Sequence, residues 1–108
     1  MIPSGVQVFV AMSPIDMRWS FDRLAGAAQE QIGYDARGGA LFVFFGRRRD
    51  AVKVLFFDGS GMCVFYKRLD RGTFRLPTAA EGTTRVEIDE AALEALLDGI
   101  DVEVPRVH

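Results

Sequence analysis

Leu41-Phe42-Val43-Phe44-Phe45 is followed by Ala51-Val52-Lys53-Val54-Leu55-Phe56-Phe57 and then by Met62-Cys63-Val64-Phe65-Tyr66-Lys67. All three runs are rich in β-branched and aromatic residues, the types that suit a pleated, half-buried surface. The connections, Gly46-Arg47-Arg48-Arg49-Asp50 and Asp58-Gly59-Ser60-Gly61, are polar and glycine-bearing. A parallel crossover needs about a dozen residues, so runs this close can join only as antiparallel hairpins. Residues 41–67 therefore read as a three-strand meander.

On the N-terminal side, Val6-Gln7-Val8-Phe9-Val10 reads as a strand bounded by Gly5 and Ser13-Pro14. Ser13, Pro14 and Asp16 carry the signals of a helix start: a cap, a first-turn proline and a first-turn acid. Met17, Phe21, Leu24, Ala25, Ala28 and Ile32 follow at helical spacing on one face, and Gly33 is the expected stop. On the C-terminal side, Arg71-Gly72-Thr73 is a turn and Phe74-Arg75-Leu76-Pro77 an extended piece. Thr84 to Ile88 alternates as an edge strand does. Asp89 caps a last helix whose Leu93, Leu96, Leu97 and Ile100 form its apolar stripe. Val102 to His108 reads as a loose tail.

The order strand, helix, meander, strand, helix predicts an α+β domain. It comprises a small, mostly antiparallel sheet (the meander plus N-terminal and edge strands), with two helices packed on one of its faces. The 108 residues make one domain. No apolar run approaches the roughly 18 residues of a membrane span. No export signal is visible, and one cysteine cannot form an internal disulfide, so a cytoplasmic setting is expected.

The residues also restrict the chemistry. The sole histidine is His108, the last residue, and with the sole cysteine, Cys63, it cannot build a zinc site. No phosphate-binding glycine motif is present. Asp16, Asp50 and Asp58 fall at a helix start and two turns, where aspartate caps backbone groups. No catalytic residue, metal site, cofactor or small-molecule substrate is expected.

Charge is unevenly placed. Phe42 to Pro77 holds eight basic and three acidic residues, a net +5, whereas Thr78 to His108 holds two basic and eight acidic residues, a net −6. The two halves either neutralise each other across the fold or present a nucleic-acid face and a separate protein face. The candidate nucleic-acid contacts are Arg47, Arg48 and Arg49 at the hairpin tip, Lys53 on the second strand, and Lys67 and Arg68 at the end of the third. Phe42, Phe44, Phe45, Phe56, Phe57, Phe65, Tyr66 and Phe74 interleave with them. One set packs under the helices; the other is a stacking platform for bases or lies beneath the C-terminal segment. Trp19, about 200° round the helix from Met17, marks either an interface or a residue folded under a loop. Glu90 and Glu94, on the face of the last helix away from its leucines, are the candidate contacts for a basic partner.

A family resemblance joins these pieces. Asp16-Met17-Arg18, Phe21-Asp22 and Leu24-Ala25 resemble an N-terminal motif of a small protein encoded by bacterial insertion sequences. Phe42-Val43-Phe44, Arg47-Arg48, Asp50, Lys53, Leu55, Asp58, Gly61, Phe65-Tyr66-Lys67-Arg68-Leu69, Gly72, Phe74 and Pro77 continue the likeness, and Leu96-Leu97-Asp98-Gly99-Ile100-Asp101 closes it. The chain thus resembles the TnpB-like accessory protein of the insertion-sequence sixty-six family of transposons, from Pro3 to Asp101. It departs at Trp19-Ser20, where Lys-Gly is usual, and at Phe57 and Leu76, where tryptophan is common. The resemblance implies a non-enzymatic role in transposition beside a separate transposase. Two readings stay open: a factor that binds DNA at transposon ends through the basic meander, and an adaptor that docks on the transposase through its acidic helix or Trp19 without touching DNA.

Overall fold

The computed structural model describes residues 5–99. Strand β2 (Leu41–Phe45) has no solvent-facing side, because all five of its residues are buried. A strand buried on both faces needs a covering layer on each, and that requirement organises the chain. The sheet has five strands in the order β4 (Met62–Arg68), β3 (Ala51–Phe57), β2, β1 (Val8–Ala11) and β5 (Arg85–Ile88). β1 pairs with β2 in parallel, Val8 opposite Leu41 and Val10 opposite Val43. Every other pairing is antiparallel: β2 with β3, β3 with β4, and β1 with β5. The architecture is the expected α+β sheet with its meander intact.

The two helices lie on opposite faces, not on one face as the pattern predicted. Phe9, Ala11, Phe42, Phe44 and Leu55 pack beneath α1 (Phe21–Ala27) and the π-helical turn that continues it (Ala28–Ile32). Val8, Val10, Val43, Phe45, Val52 and Val54 pack beneath Phe74 and α2 (Glu90–Leu97). Alternation along the strands sends neighbouring side chains to opposite sides, so β1 and β2, apolar at every position, fill both cores. The phenylalanines expected to serve as core or platform divide accordingly. Phe42, Phe44, Phe45 and Phe74 are fully buried, the first two on the α1 side and the last two on the α2 side, while Phe56, Phe57 and Phe65 are half-buried.

The first helix begins later than Ser13-Pro14 predicted. The Ile15 N–H donates to the Phe45 carbonyl (2.9 Å), continuing the sheet. The Asp16 carboxylate then accepts from the Arg18 N–H (2.8 Å) and guanidinium (2.7 Å), and the Trp19 N–H donates to the Asp16 carbonyl (3.0 Å). These local bonds satisfy the groups a helix would otherwise use, so residues 13–20 form a closed loop. Met17 and Trp19 reach the core from that loop, and Phe21, assigned to the apolar stripe, is 46% exposed. The predicted stop holds: Gly33 adopts φ 85°, a left-handed conformation that costs glycine nothing. The Asp89 cap also holds, its carboxylate accepting from the Ala92 N–H at 2.8 Å. Ile100 and the tail at Val102 to His108 lie outside the described residues.

Leu96 is fully buried, so Leu96→Ala should cost about 2–5 kcal/mol. Phe21→Ala should cost about 0.5 kcal/mol or less. Urea unfolding of both variants measures the difference.

Candidate nucleic-acid interface

The β2–β3 connection is a tight turn in which the Arg49 N–H donates to the Gly46 carbonyl (3.0 Å). The geometry then needs a left-handed residue, a place glycine usually takes. Here it is Arg49, with φ 58°, the one non-glycine residue of positive φ among those described. A left-handed conformation costs an L-residue roughly 1–2 kcal/mol relative to a right-handed one. Gly46 is constrained differently: a Cβ there would sit 2.8 Å from the Met17 side chain, so a larger residue would force Met17 to move.

Neighbouring segments are tied to the same end of the sheet. The Leu69 N–H donates to the Asp50 carbonyl (2.8 Å) and the Phe74 N–H to the Arg49 carbonyl (2.6 Å). The loop carrying Asp70 and Arg71 is thereby pinned to the turn at both ends. Arg68, opposite Ala51 in the ladder, stands at the end of β4 beside it. Arg47, Arg48, Arg49, Arg68 and Arg71 are all exposed, and among the described residues none is in a salt bridge. Arg71, by sequence only part of a turn, joins this surface because the two backbone bonds bring it there.

The lysines are placed differently. Lys53 lies on the α1 face, where its ammonium donates to the Trp19 carbonyl (2.7 Å) and stands 5.1 Å from the Tyr66 ring centre. Lys67 lies on the α2 face and donates to the Leu97 carbonyl (2.7 Å), at the end of α2 where a cation complements the helix dipole. The six residues therefore do not share one face: the arginines gather at one sheet end while each lysine fastens a covering layer. Arg85 does the same from β5, donating to the Ile32 carbonyl at the end of the π turn and lying against the rings of Phe9 and Tyr34.

Beside the arginine turn, Pro14, Asp16, Trp19, Arg47, Arg48 and Asp50 line an open cleft of 520 Å³. Trp19 precedes α1 instead of projecting from it, is half-buried, and carries the Arg23 guanidinium 5.7 Å from its ring centre. The bidentate Arg18 guanidinium and the Arg18 N–H lower the Asp16 carboxyl from its ordinary 3.8 to about 2. On α2, Glu94 is exposed, while half-buried Glu90 accepts from the Gly5 N–H at 2.8 Å.

Two other polar sites have structural roles. The Asp58 carboxylate closes the β3–β4 turn by accepting from the Ser60 and Gly61 N–H groups, which lower its pKa. Burial and the adjacent Asp58 push the Cys63 thiol up, away from thiolate reactivity. No group of three potential metal ligands is assembled among the described residues. No helix there is long and apolar enough to cross a membrane.

Comparison with known proteins places the chain among relatives. Residues 6–107 match the family model described as IS66 Orf2 like protein. A Sinorhizobium fredii protein, uncharacterized protein y4hO, is 44% identical over 108 residues, covering 98% of this chain and 92% of the relative. A second protein of that organism, uncharacterized protein y4jC, is 31% identical over 97 residues, covering 90% of this chain and 81% of the relative. No solved structure matches the chain with significance.

The Asp16–Arg18 contact generates a pH prediction. A carboxyl lowered by folding contributes fully above its unfolded pKa of 3.8, and the contribution fades as pH falls through about 2. Carboxyl NMR should find Asp16 titrating near 2, and Arg18→Ala should return it toward 3.8.

Proposed function

This chain belongs to the IS66 Orf2-like protein family, and on that premise we propose that it is a non-catalytic accessory factor of DNA transposition that grips DNA phosphates through its arginine turn. The observation that carries the DNA part is Arg49. Arginine occupies a left-handed position where glycine would fit without strain, and a strained residue kept in an exposed turn points to a use for its side chain. Arg47 and Arg48 precede it in the same turn, and Arg68 and Arg71 flank it, so five arginines are anchored at one end of the sheet. Arginine suits this task because its planar fork bonds two phosphate oxygens at once. Contacts of this kind position a protein on a duplex without reading its sequence. Lys53 and Lys67 add positive potential from the flanks while holding their carbonyls.

The second part of the proposal is a separate transposase that docks on the acidic side of α2. Glu94 and Asp98 are exposed there, and their carboxylates repel phosphates and attract a basic protein surface. Glu90 supports that face less directly, since it also holds the Gly5 N–H. Trp19 serves the DNA side, as a wall of the cleft beside Arg47 and Arg48. The adaptor reading differs only in dispensing with the arginine turn, so one set of variants separates the two.

Replacing Arg47, Arg48 and Arg49 with alanine should leave the fold intact and weaken binding to duplex DNA. The log–log salt dependence should become shallower by about 0.9 for each phosphate that is no longer neutralised. A folded triple variant with wild-type affinity and salt slope would favour the adaptor. Arg49→Gly alone should leave stability unchanged or raise it by up to about 1 kcal/mol while still reducing affinity. Thermal melts and binding isotherms on the same samples measure both effects. Glu94→Lys should weaken co-precipitation of the transposase and leave DNA affinity unchanged or higher.

A further inference from the structure

β4 forms one edge of the sheet, and it is an unusual edge. Its seven residues pair with β3 without a break, from Ala51 opposite Arg68 to Phe57 opposite Met62. It contains no proline or glycine, and no charge from Met62 to Tyr66. Those are the devices by which natural proteins discourage pairing at an open edge. The opposite edge, β5, is four residues long and carries Arg85 and Glu87.

The outward backbone groups of β4 can be identified. The Gly61 carbonyl accepts from the Asp58 N–H and the Leu69 N–H donates to Asp50, so both point toward β3. Alternation then turns the N–H and C=O groups of Met62, Val64, Tyr66 and Arg68 away from the sheet. Among the described residues, none of these groups has a backbone partner. The side chains beside this edge are apolar on both faces and incompletely covered: Met62 and Val64 on the α1 side, Phe65 on the α2 side.

We infer that β4 is a self-association edge, at which a second copy of this chain adds its own β4 antiparallel to form one ten-stranded sheet. The charge along the strand selects that occupant and that direction. β4 begins beside the Asp58 turn and ends in Lys67 and Arg68. Antiparallel self-pairing sets the acidic end of each copy against the basic end of the other, whereas parallel pairing would oppose like charges. The register that uses all four outward residues places Met62 opposite Arg68 and Val64 opposite Tyr66 of the second copy. The two Phe65 residues then meet on the two-fold axis as a non-hydrogen-bonded pair, the closer kind, with Cα atoms about 4.5 Å apart. A self-complementary patch of this sort is what a two-fold dimer requires. The arginine turns would then stand at opposite ends of the joined sheet, giving the dimer two separate cationic ends. The inference is independent of what the arginines bind.

Sedimentation of the full chain tests it, with Val64→Pro and, in a Cys63→Ser background, Phe65→Cys. Val64→Pro removes an outward N–H that β3 does not use, a substitution edge strands accept. The expected results are twice the monomer mass for the wild type, monomer mass for Val64→Pro with an unchanged circular dichroism spectrum, and a covalent dimer of Phe65→Cys on mild oxidation. The Cα spacing of the Phe65 pair lies within disulfide range. Should Val64→Pro fail to fold, the Phe65→Cys cross-link decides alone. A wild-type monomer at every concentration, or a folded Val64→Pro that remains dimeric, overturns the inference. A monomer whose Val64 and Tyr66 amides resist hydrogen exchange also overturns it, in favour of residues 100–108 lying along this edge.

Discussion

The structure depends on the double burial of β2. Leu41-Phe42-Val43-Phe44-Phe45 has no polar position, so water must be excluded from both of its faces. β1 is equally buried and lies beside it in parallel. A parallel pair requires a long crossover, and residues 12–40 supply one that also covers the first face. The second face is covered by the chain after the meander, through Phe74 and α2. The meander's polar turns are left at the ends of the sheet, which is where the arginines are.

Covering layers must also be held in place, and three cations do this. Lys53, Lys67 and Arg85 each project from a strand and donate to a carbonyl of the layer above: Trp19 in the first loop, Leu97 at the end of α2, Ile32 at the end of the π turn. Two of the three carbonyls belong to helix ends, where the last backbone acceptors lack intrahelical partners. A cation there satisfies an acceptor that burial would otherwise leave costly, and it favours the dipole. The aliphatic stems of the lysines can rest on the sheet while their ammonium groups reach the edge of the core. The basic character of the middle segment therefore has two parts. The lysines fasten the fold, and the arginines at the β2–β3 turn remain outside it.

That division gives the arginine turn its character. Its backbone is tied on every side, by the Gly46–Arg49 bond within it, by Phe74 and Leu69 from the following loop, and by the close approach of Met17. A turn so constrained carries its arginines on a fixed backbone, so only side-chain entropy remains to be lost when a ligand orders them. Phe74, whose N–H is bonded to Arg49, covers the same face of the sheet as α2, and the end of α2 approaches Leu69, which is bonded to Asp50 in the turn.

Much of this was legible in the amino-acid order. The meander followed from composition and from connections too short for anything but hairpins. Gly33 and Asp89 marked helix ends because their effects are local: one tolerates a left-handed backbone, the other accepts from an N–H three residues on. The arginine turn and the acidic helix were visible as charge. What the tertiary structure alone decided is long-range or competitive. Ser13-Pro14 looked like a helix start, but Asp16 found Arg18 and Ile15 found Phe45, and those bonds displaced the first helical turn. Lys53 and Lys67 were indistinguishable from the arginines as charges, yet strand alternation sent them to opposite faces where carbonyls 34 and 30 residues away awaited them. The separation of the helices onto two faces has the same origin. Periodicity records which residues avoid water, but only the assembled sheet determines which side of it each of them reaches.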